Sequence, residues 1–397
     1  MRKNFYIIFL STFTLLFSIS VNCQQLRIGL FNESAIQTFI FTASEGTYEL
    51  KQDSTVLLKV EKGGLLYISL LDSALSVRDP RYGSMVLSSV ILKSSDSAAT
   101  FLLRPAYPAM DARNYMGDCL FSAGIGRIQA VNIVGLTDYL SAVVAAEGGT
   151  SATIEYYKAQ AVLCRTYLIA HEDRHSTDGF NLCDAVHCQA YHGVNTRNAA
   201  IRKAVISTEN EVAIYSDSLL ITAAYHANCG GETQNSENEW LQIVPYLRSV
   251  KDSFCINSKN AKWEMKIPGA KWLVYLKKNG VHLMDSSSLD FLRFDQSKRK
   301  AYYIVIGDSI AFRKIRADWN LKSSFFSVKV DSSATVILKG KGYGHGIGMC
   351  QVGAMNMALK GYNYIDILNF YFRGICVKKA EELNINGKKI RLFTTNS

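Results

Sequence analysis

A single apolar run closed by one carboxylate and two glycines sets the frame for this chain: Leu136-Thr137-Asp138-Tyr139-Leu140-Ser141-Ala142-Val143-Val144-Ala145-Ala146-Glu147-Gly148-Gly149. Leu136, Tyr139/Leu140, Val143/Val144 and Glu147 recur at three- and four-residue spacing, which predicts a helix whose buried stripe continues into the glutamate. Gly148 and Gly149 stop the helix directly behind it. There the carboxylate meets the negative end of the helix dipole and apolar neighbours, and both favour its protonated form. A general acid working near neutral pH needs that property. A glutamate at a helix end is also commonly a plain surface residue, so its surroundings have to decide.

The chain has 397 residues, 48% of them hydrophobic and 20% charged, enough for two to three domains with a substantial core. Residues 1–23 read as an export signal: Met1-Arg2-Lys3, an apolar run from Phe5 to Ile19, then a cleavage zone that leaves Gln24 first. The chain is therefore expected in the periplasm or elsewhere in the cell envelope. The apolar run is too short for a membrane span, and no later stretch is long and apolar enough. Cys23 offers a lipid attachment point, although Asn22 is a poor residue before a lipidated cysteine. It is the one route by which the sequence suggests membrane contact. A net charge of +10 suggests an anionic partner, and for an exported protein envelope polymers outrank nucleic acid. The basic residues are scattered through 251–316 and the tail without a nucleic-acid motif, so no nucleic-acid partner is expected. Of nine cysteines, eight follow Cys23, at irregular spacing that argues against a disulfide scaffold. Cys164 lies on a helical apolar stripe and reads as core, and a Cys229–Cys255 bridge, whose geometry the sequence does not give, carries little weight.

The predicted class is α+β. Residues 24–112 form a β-rich region of short strands (Leu26–Phe31, Ile36–Phe41, Val56–Val60, Leu65–Leu71, Val86–Leu92). Residues 113–261 hold a helical core with the glycine-turn corner at 148–149. Its second helix is capped by Ser151 or Thr153 and carries Ile154, Tyr157, Ala161, Cys164, Leu168 and His171 on one face. Residues 262–339 return to strands, with Trp272–Leu276, Tyr302–Ile306, Phe325–Val330 and Val336–Leu338 among them, and an exposed Asp285-Ser286-Ser287-Ser288 segment. Residues 340–376 hold a glycine-histidine loop and two helices, Gln351–Leu359 and Tyr364–Phe372, and residues 377–397 form a basic tail.

Three further clusters carry chemistry. His175, Cys183, His187 and Cys188 stand within fourteen residues, and two thiolates with two imidazoles suit a tetrahedral zinc site. His192 is an alternative ligand to either histidine, and a disulfide or free thiols are the competing reading. Four protein ligands leave no open position for water, so the metal is read as structural, pinning the loop after the second helix. The segment Tyr225-His226-Ala227-Asn228-Cys229-Gly230-Gly231 follows the strand-like Ile214–Ala224 and reads either as a ligand wall or as a turn with a hydrogen-bonded histidine. Gly342-Tyr343-Gly344-His345-Gly346-Ile347-Gly348-Met349-Cys350-Gln351 exposes backbone amides and admits close approach by a polar ligand. It lacks the ending of a phosphate loop, and its glycine spacing is not the dinucleotide fingerprint. His345, between glycines, has little expected packing around it.

Leu136 to Glu147, Lys158-Ala159-Gln160-Ala161-Val162-Leu163-Cys164-Arg165-Thr166-Tyr167, Tyr225-His226 with Gly230-Gly231, Val244-Pro245-Tyr246-Leu247-Arg248-Ser249-Val250 and Gly342 to Ala354 together resemble the SpoIID/LytB family. The resemblance is dense over 113–250 and 340–374. It implies a peptidoglycan lytic transglycosylase acting on glycan strands, preferentially those stripped of stem peptides. The catalytic glutamate falls on Glu147 and the zinc segment on His175, Cys183, His187 and Cys188. Tyr225, His226, Gly230, Gly231, Gly344, His345, Gly346 and Gln351 fall in the substrate cleft. The sequence departs from the family's pattern at Gly148-Gly149, which replace a bulky residue and proline, and at Cys229 and Cys350, where serine is usual. Lytic cleavage needs one carboxyl group, first as acid and then as base, while the sugar's own 6-hydroxyl attacks the anomeric carbon. A hydrolase would want a second carboxylate at a set separation, and neither Asp138 nor Glu155 is placed for that. Two alternatives remain: a non-catalytic wall-binding enhancer of an amidase, a role also found in the family, and a zinc-dependent hydrolase.

Overall fold

A computed structural model describes residues 25–194, 198–216, 219–259, 261–283, 288–385 and 388–389. The export signal and Cys23 lie outside the described residues, as do positions 285–287 of the polar segment and the end of the basic tail. The α+β class holds, with eight helices among the described residues.

Two antiparallel-rich sheets form the N-terminal part. The first runs Leu182–Cys183, Leu26–Leu30, Arg127–Val134, Asp118–Gly124, Ser89–Ser94, Tyr48–Gln52 and Thr55–Val60 in spatial order, and the second Arg113–Met116, Thr100–Tyr107, Thr38–Glu45, Leu65–Leu71, Ala74–Asp79 and Gly83–Leu87. Alternation places Phe39, Phe41 and Ala43 inward from one sheet and Tyr48, Leu50 and Phe121 from the other. Their rings meet at 5.8 Å for Phe39–Phe121 and 5.2 Å for Phe41–Tyr48. The expected Val86–Leu92 strand is two: Gly83–Leu87 belongs to the second sheet and Ser89–Ser94 to the first, with Ser88 at the crossing between them.

Helices α1 (Leu136–Gly148) and α2 (Ile154–Ala170) follow the first sheet. From Tyr156 to Leu168 only Lys158 and Tyr167 are partly exposed, so α2 is buried on nearly every side and is the central helix. Thr153 takes its N-cap position, but its hydroxyl makes no capping hydrogen bond. Helix α3 (Ala199–Ser207) flanks both, and a short α4 (Ser236–Trp240) follows the Tyr225–His226 strand. The run from Ile214 is not one strand: Glu211–Tyr215 pairs back with Leu219–Leu220.

Residues 262–341 build a smaller lobe with its own core, which includes Trp272, Leu276, Leu292, Tyr303, Phe312, Val336 and Leu338. Its sheet orders Lys262–Pro268, Thr335–Lys341 and Phe326–Val330, beside a Tyr302–Val305/Asp308–Ala311 hairpin. Trp272–Leu276, expected as a strand, lies inside helix α5 (Gly269–Lys278). Trp272 and Leu276, four apart, are buried together while Val274 is 68% exposed, which is helical and not strand geometry. Helix α6 (Phe312–Asp318) completes this lobe. The chain then returns to α2 through α7 (Gln351–Leu359) and α8 (Tyr364–Tyr371), and Ile375–Lys379 pairs with Glu211–Tyr215. No described helix is long and apolar enough to cross a membrane.

One core runs from the two N-terminal sheets into the helices. Phe101, Tyr115, Tyr191 and Tyr139 carry it across, with centroid separations of 5.5, 5.6 and 5.1 Å.

Candidate functional site

Glu147 is the penultimate residue of α1, and Gly149 takes a left-handed φ of 69° as the chain turns away. Gly148 allows α1 to approach α2: a methyl group there would lie 2.5 Å from the Tyr156 hydroxyl. The Glu147 side chain is half-buried, and its Oε1 accepts the Ala190 backbone N–H at 2.8 Å. The Tyr225 phenol neighbours the same carboxylate and favours its ionised form. Gln351 Nε2 donates to the Glu147 carbonyl at 2.9 Å, fixing the backbone behind the side chain. Burial pushes the carboxyl above its ordinary value and outweighs the Ala190 and Tyr225 hydrogen bonds, which pull it down. None of the groups that move it is another carboxylate. Asp138 pairs with Arg202 instead, and Glu155 with Lys158.

The four residues of the expected metal segment converge. One donor atom each from His175, Cys183, His187 and Cys188 lies within 4.8 Å of the others. His187 Nδ1 stands 3.7 Å from Cys183 Sγ and 3.6 Å from Cys188 Sγ. Asp178 Oδ2 holds His175 Nδ1 at 2.9 Å, leaving Nε2 buried without a hydrogen-bond partner. A carboxylate behind a histidine whose other nitrogen faces buried thiols is how metal-binding imidazoles are oriented. The Cys188 hydrogen bond holds the Cys183 thiol down, and Cys188 is pushed up correspondingly. This donor set fits a soft divalent cation such as zinc. His192 stands apart from it, in a cleft of about 210 Å³ with Arg113 and Asp184, which also borders Ala190.

The segment is anchored to the first strand. Leu182–Cys183 pairs in parallel with Ile28–Gly29, and the Asp184 carboxylate accepts the Phe31 N–H and pairs with Arg113 at 2.8 Å. Cys188 is followed by Gln189 and Ala190, so the cluster lies two residues from the amide that holds Glu147. Ala190 escapes sequence reading, because a backbone amide leaves no composition signal. Only the nearness of Ala190 to the cysteine pair could have pointed to it.

Tyr225–His226 pairs in parallel with Met349–Cys350, which joins the two remaining segments in one wall. His226 is buried, with Nδ1 3.0 Å from the Ile347 carbonyl and Nε2 without a partner. His345 Nδ1 accepts the Ile347 N–H at 3.0 Å, and its ring packs 5.5 Å from His226 and 5.6 Å from Trp240. Burial pushes His345 down to about 4 and His226 down as well, so both rings are neutral near pH 7. The sparse packing expected around His345 is not what the structure has. The loop glycines serve close approach of the chain to itself: a methyl at Gly348 would lie 2.2 Å from the Ala224 carbonyl oxygen, and one at Gly344 2.9 Å from His226 Cβ. Gly346 packs on the Arg299 guanidinium and Gly230 on Lys341, while Gly231 turns the chain at a φ of 104°. Tyr225 and Gln351 touch Glu147, while His226, His345 and the glycines form the layer behind them.

A family model described as Stage II sporulation protein (SpoIID) matches residues 125–215. The chain is 30% identical over 275 residues to an uncharacterized protein of Brachyspira hyodysenteriae, covering 68% of this chain and 74% of that one. It is 28% identical over 269 residues to Stage II sporulation protein D of Bacillus subtilis, covering 64% and 77%. It is also 30% identical over 287 residues to the Amidase enhancer of Bacillus subtilis, covering 59% of this chain and 39% of that one. The chain belongs to the SpoIID/LytB family.

Proposed function

We propose that this protein works on the cell wall outside the cytoplasm, as a peptidoglycan lytic transglycosylase that cuts N-acetylmuramyl–N-acetylglucosamine linkages. The observation that carries the reading is Glu147, half-buried at a helix end with a raised pKa, held by Ala190 and Tyr225, and moved by no second carboxylate. The protonated carboxyl gives its proton to the glycosidic oxygen as the bond to the anomeric carbon breaks. The resulting carboxylate then takes the proton of the sugar's 6-hydroxyl as that oxygen closes on the anomeric carbon, giving a 1,6-anhydro end. No water enters, which is consistent with a single carboxyl group. The net charge of +10 suits glycan stripped of stem peptides, whose lactyl carboxylates are free.

Zinc at His175, Cys183, His187 and Cys188 would hold the loop that presents the Ala190 amide. Four protein donors fill a tetrahedral shell, so the metal braces the loop and the zinc-hydrolase alternative has no place for water. A second reading, a wall-binding enhancer of an amidase without its own turnover, is favoured by the likeness to the Amidase enhancer. Incubating the purified protein with denuded glycan and resolving the products by mass separates them. Products one water lighter than hydrolytic fragments, lost in Glu147→Gln, are expected; unchanged glycan with retained binding would favour the enhancer.

A further inference from the structure

A second group of side chains with donor atoms suited to a metal lies behind the Tyr225–His226 and Met349–Cys350 wall. Cys229, Asp252, Cys255 and Cys350 are each fully buried, and one donor atom from each lies within 4.8 Å of the others. They arrive from three separate stretches: the turn after Tyr225–His226, the loop at 251–256, and the N-cap of α7. Cys229 Sγ is 3.3 Å from Cys255 Sγ and 3.2 Å from Asp252 Oδ2. Sulfurs bound tetrahedrally at ~2.3 Å from zinc stand roughly 3.8 Å apart, so small shifts bring these atoms onto one ion.

A lone buried cysteine is an ordinary small hydrophobe. Three thiols around a buried carboxylate are not, because burial makes each ionised member costly, and the cation that acts on them, Arg299, serves Cys229 and Cys350 together. The surroundings already orient the donors. Asp252 Oδ1 accepts the Phe254 N–H at 2.8 Å and Oδ2 the Tyr371 hydroxyl at 3.0 Å. Cys350 Sγ accepts the Cys229 N–H at 3.2 Å and the Gly353 N–H at 3.4 Å, which fix the position of the sulfur. The Arg299 guanidinium donates to the Cys229 carbonyl at 2.8 Å, while its Nη1 is buried with no hydrogen-bond partner.

We propose that Cys229, Cys255, Cys350 and Asp252 form a second, thiolate-rich metal site that takes zinc. It is separate from the His175–Cys188 cluster and does not depend on the reading of Glu147. The ion ties the Tyr225–Cys229 segment to Cys350, next to the Gln351 that holds the Glu147 backbone. It therefore clamps the wall from behind without touching substrate.

The test counts metal on the mature protein, purified with its thiols protected, loaded with zinc and desalted. Two zinc ions per chain are expected, one for each cluster. Cys229→Ser/Cys350→Ser should lose one and keep the other. Cys183→Ser/Cys188→Ser should keep one whose X-ray absorption shows three sulfurs and one oxygen. If the His175–Cys188 cluster binds nothing, the Cys183→Ser/Cys188→Ser variant matches wild type while the Cys229→Ser/Cys350→Ser variant still loses its ion. Undiminished zinc in Cys229→Ser/Cys350→Ser overturns the proposal, as does a Cys229–Cys255 disulfide in peptide mapping of the protected protein. The wild-type count and mapping stand even where a variant fails to fold.

Discussion

Glu147 has two measurable properties that follow from its burial. Its folded-state carboxyl lies above the unfolded one, so the ionised form costs stability at neutral and alkaline pH. The cost is absent below the unfolded carboxylate range, where both states are protonated. Glu147→Gln should therefore raise the thermal midpoint at pH 7 and above, with the gain fading as the pH falls through that range; melts across pH check this. Tyr225→Phe removes a donor that favours the carboxylate, so the proton is held to higher pH. The alkaline limb of kcat/KM should move upward, and a downward or absent shift would contradict the contact. Glu147 is legible in the sequence because apolar periodicity runs into it. Its partner Ala190 is not, since a main-chain N–H carries no residue signature.

At the scale of elements, α1, α2 and α7 are readable from periodicity and glycine stops. Helix α5 is not: Trp-Leu-Val-Tyr-Leu has strand-like residues, and only the packing of Trp272 with Leu276 decides for a helix. The loop of 175–188 is legible as a ligand cluster, but its attachment to the Ile28–Gly29 strand is not, because that pairing joins positions far apart in sequence. Asp178 fixes the His175 ring through Nδ1. Asp178→Ala should weaken zinc retention at that cluster by on the order of 10–100-fold, read by competition with a chromophoric chelator.

Across the whole molecule, the N-terminal sheets and the helices share one core, which composition alone could not reveal. Leu26–Leu30 pairs with Arg127–Val134 on one side and with Leu182–Cys183 on the other, so the β-rich region holds the histidine-cysteine segment in place. A fragment beginning at residue 113 should show no cooperative unfolding in calorimetry; a sharp transition would mean the helices stand alone. In the proposed function one carboxyl group cuts glycan without water. Digestion of denuded strands in heavy-oxygen water measures this directly. Expected are 1,6-anhydro ends free of label from the wild-type protein, and a loss on the order of 10²–10⁴-fold in Glu147→Gln with binding retained. Labelled reducing ends, or undiminished cutting by Glu147→Gln, would contradict it.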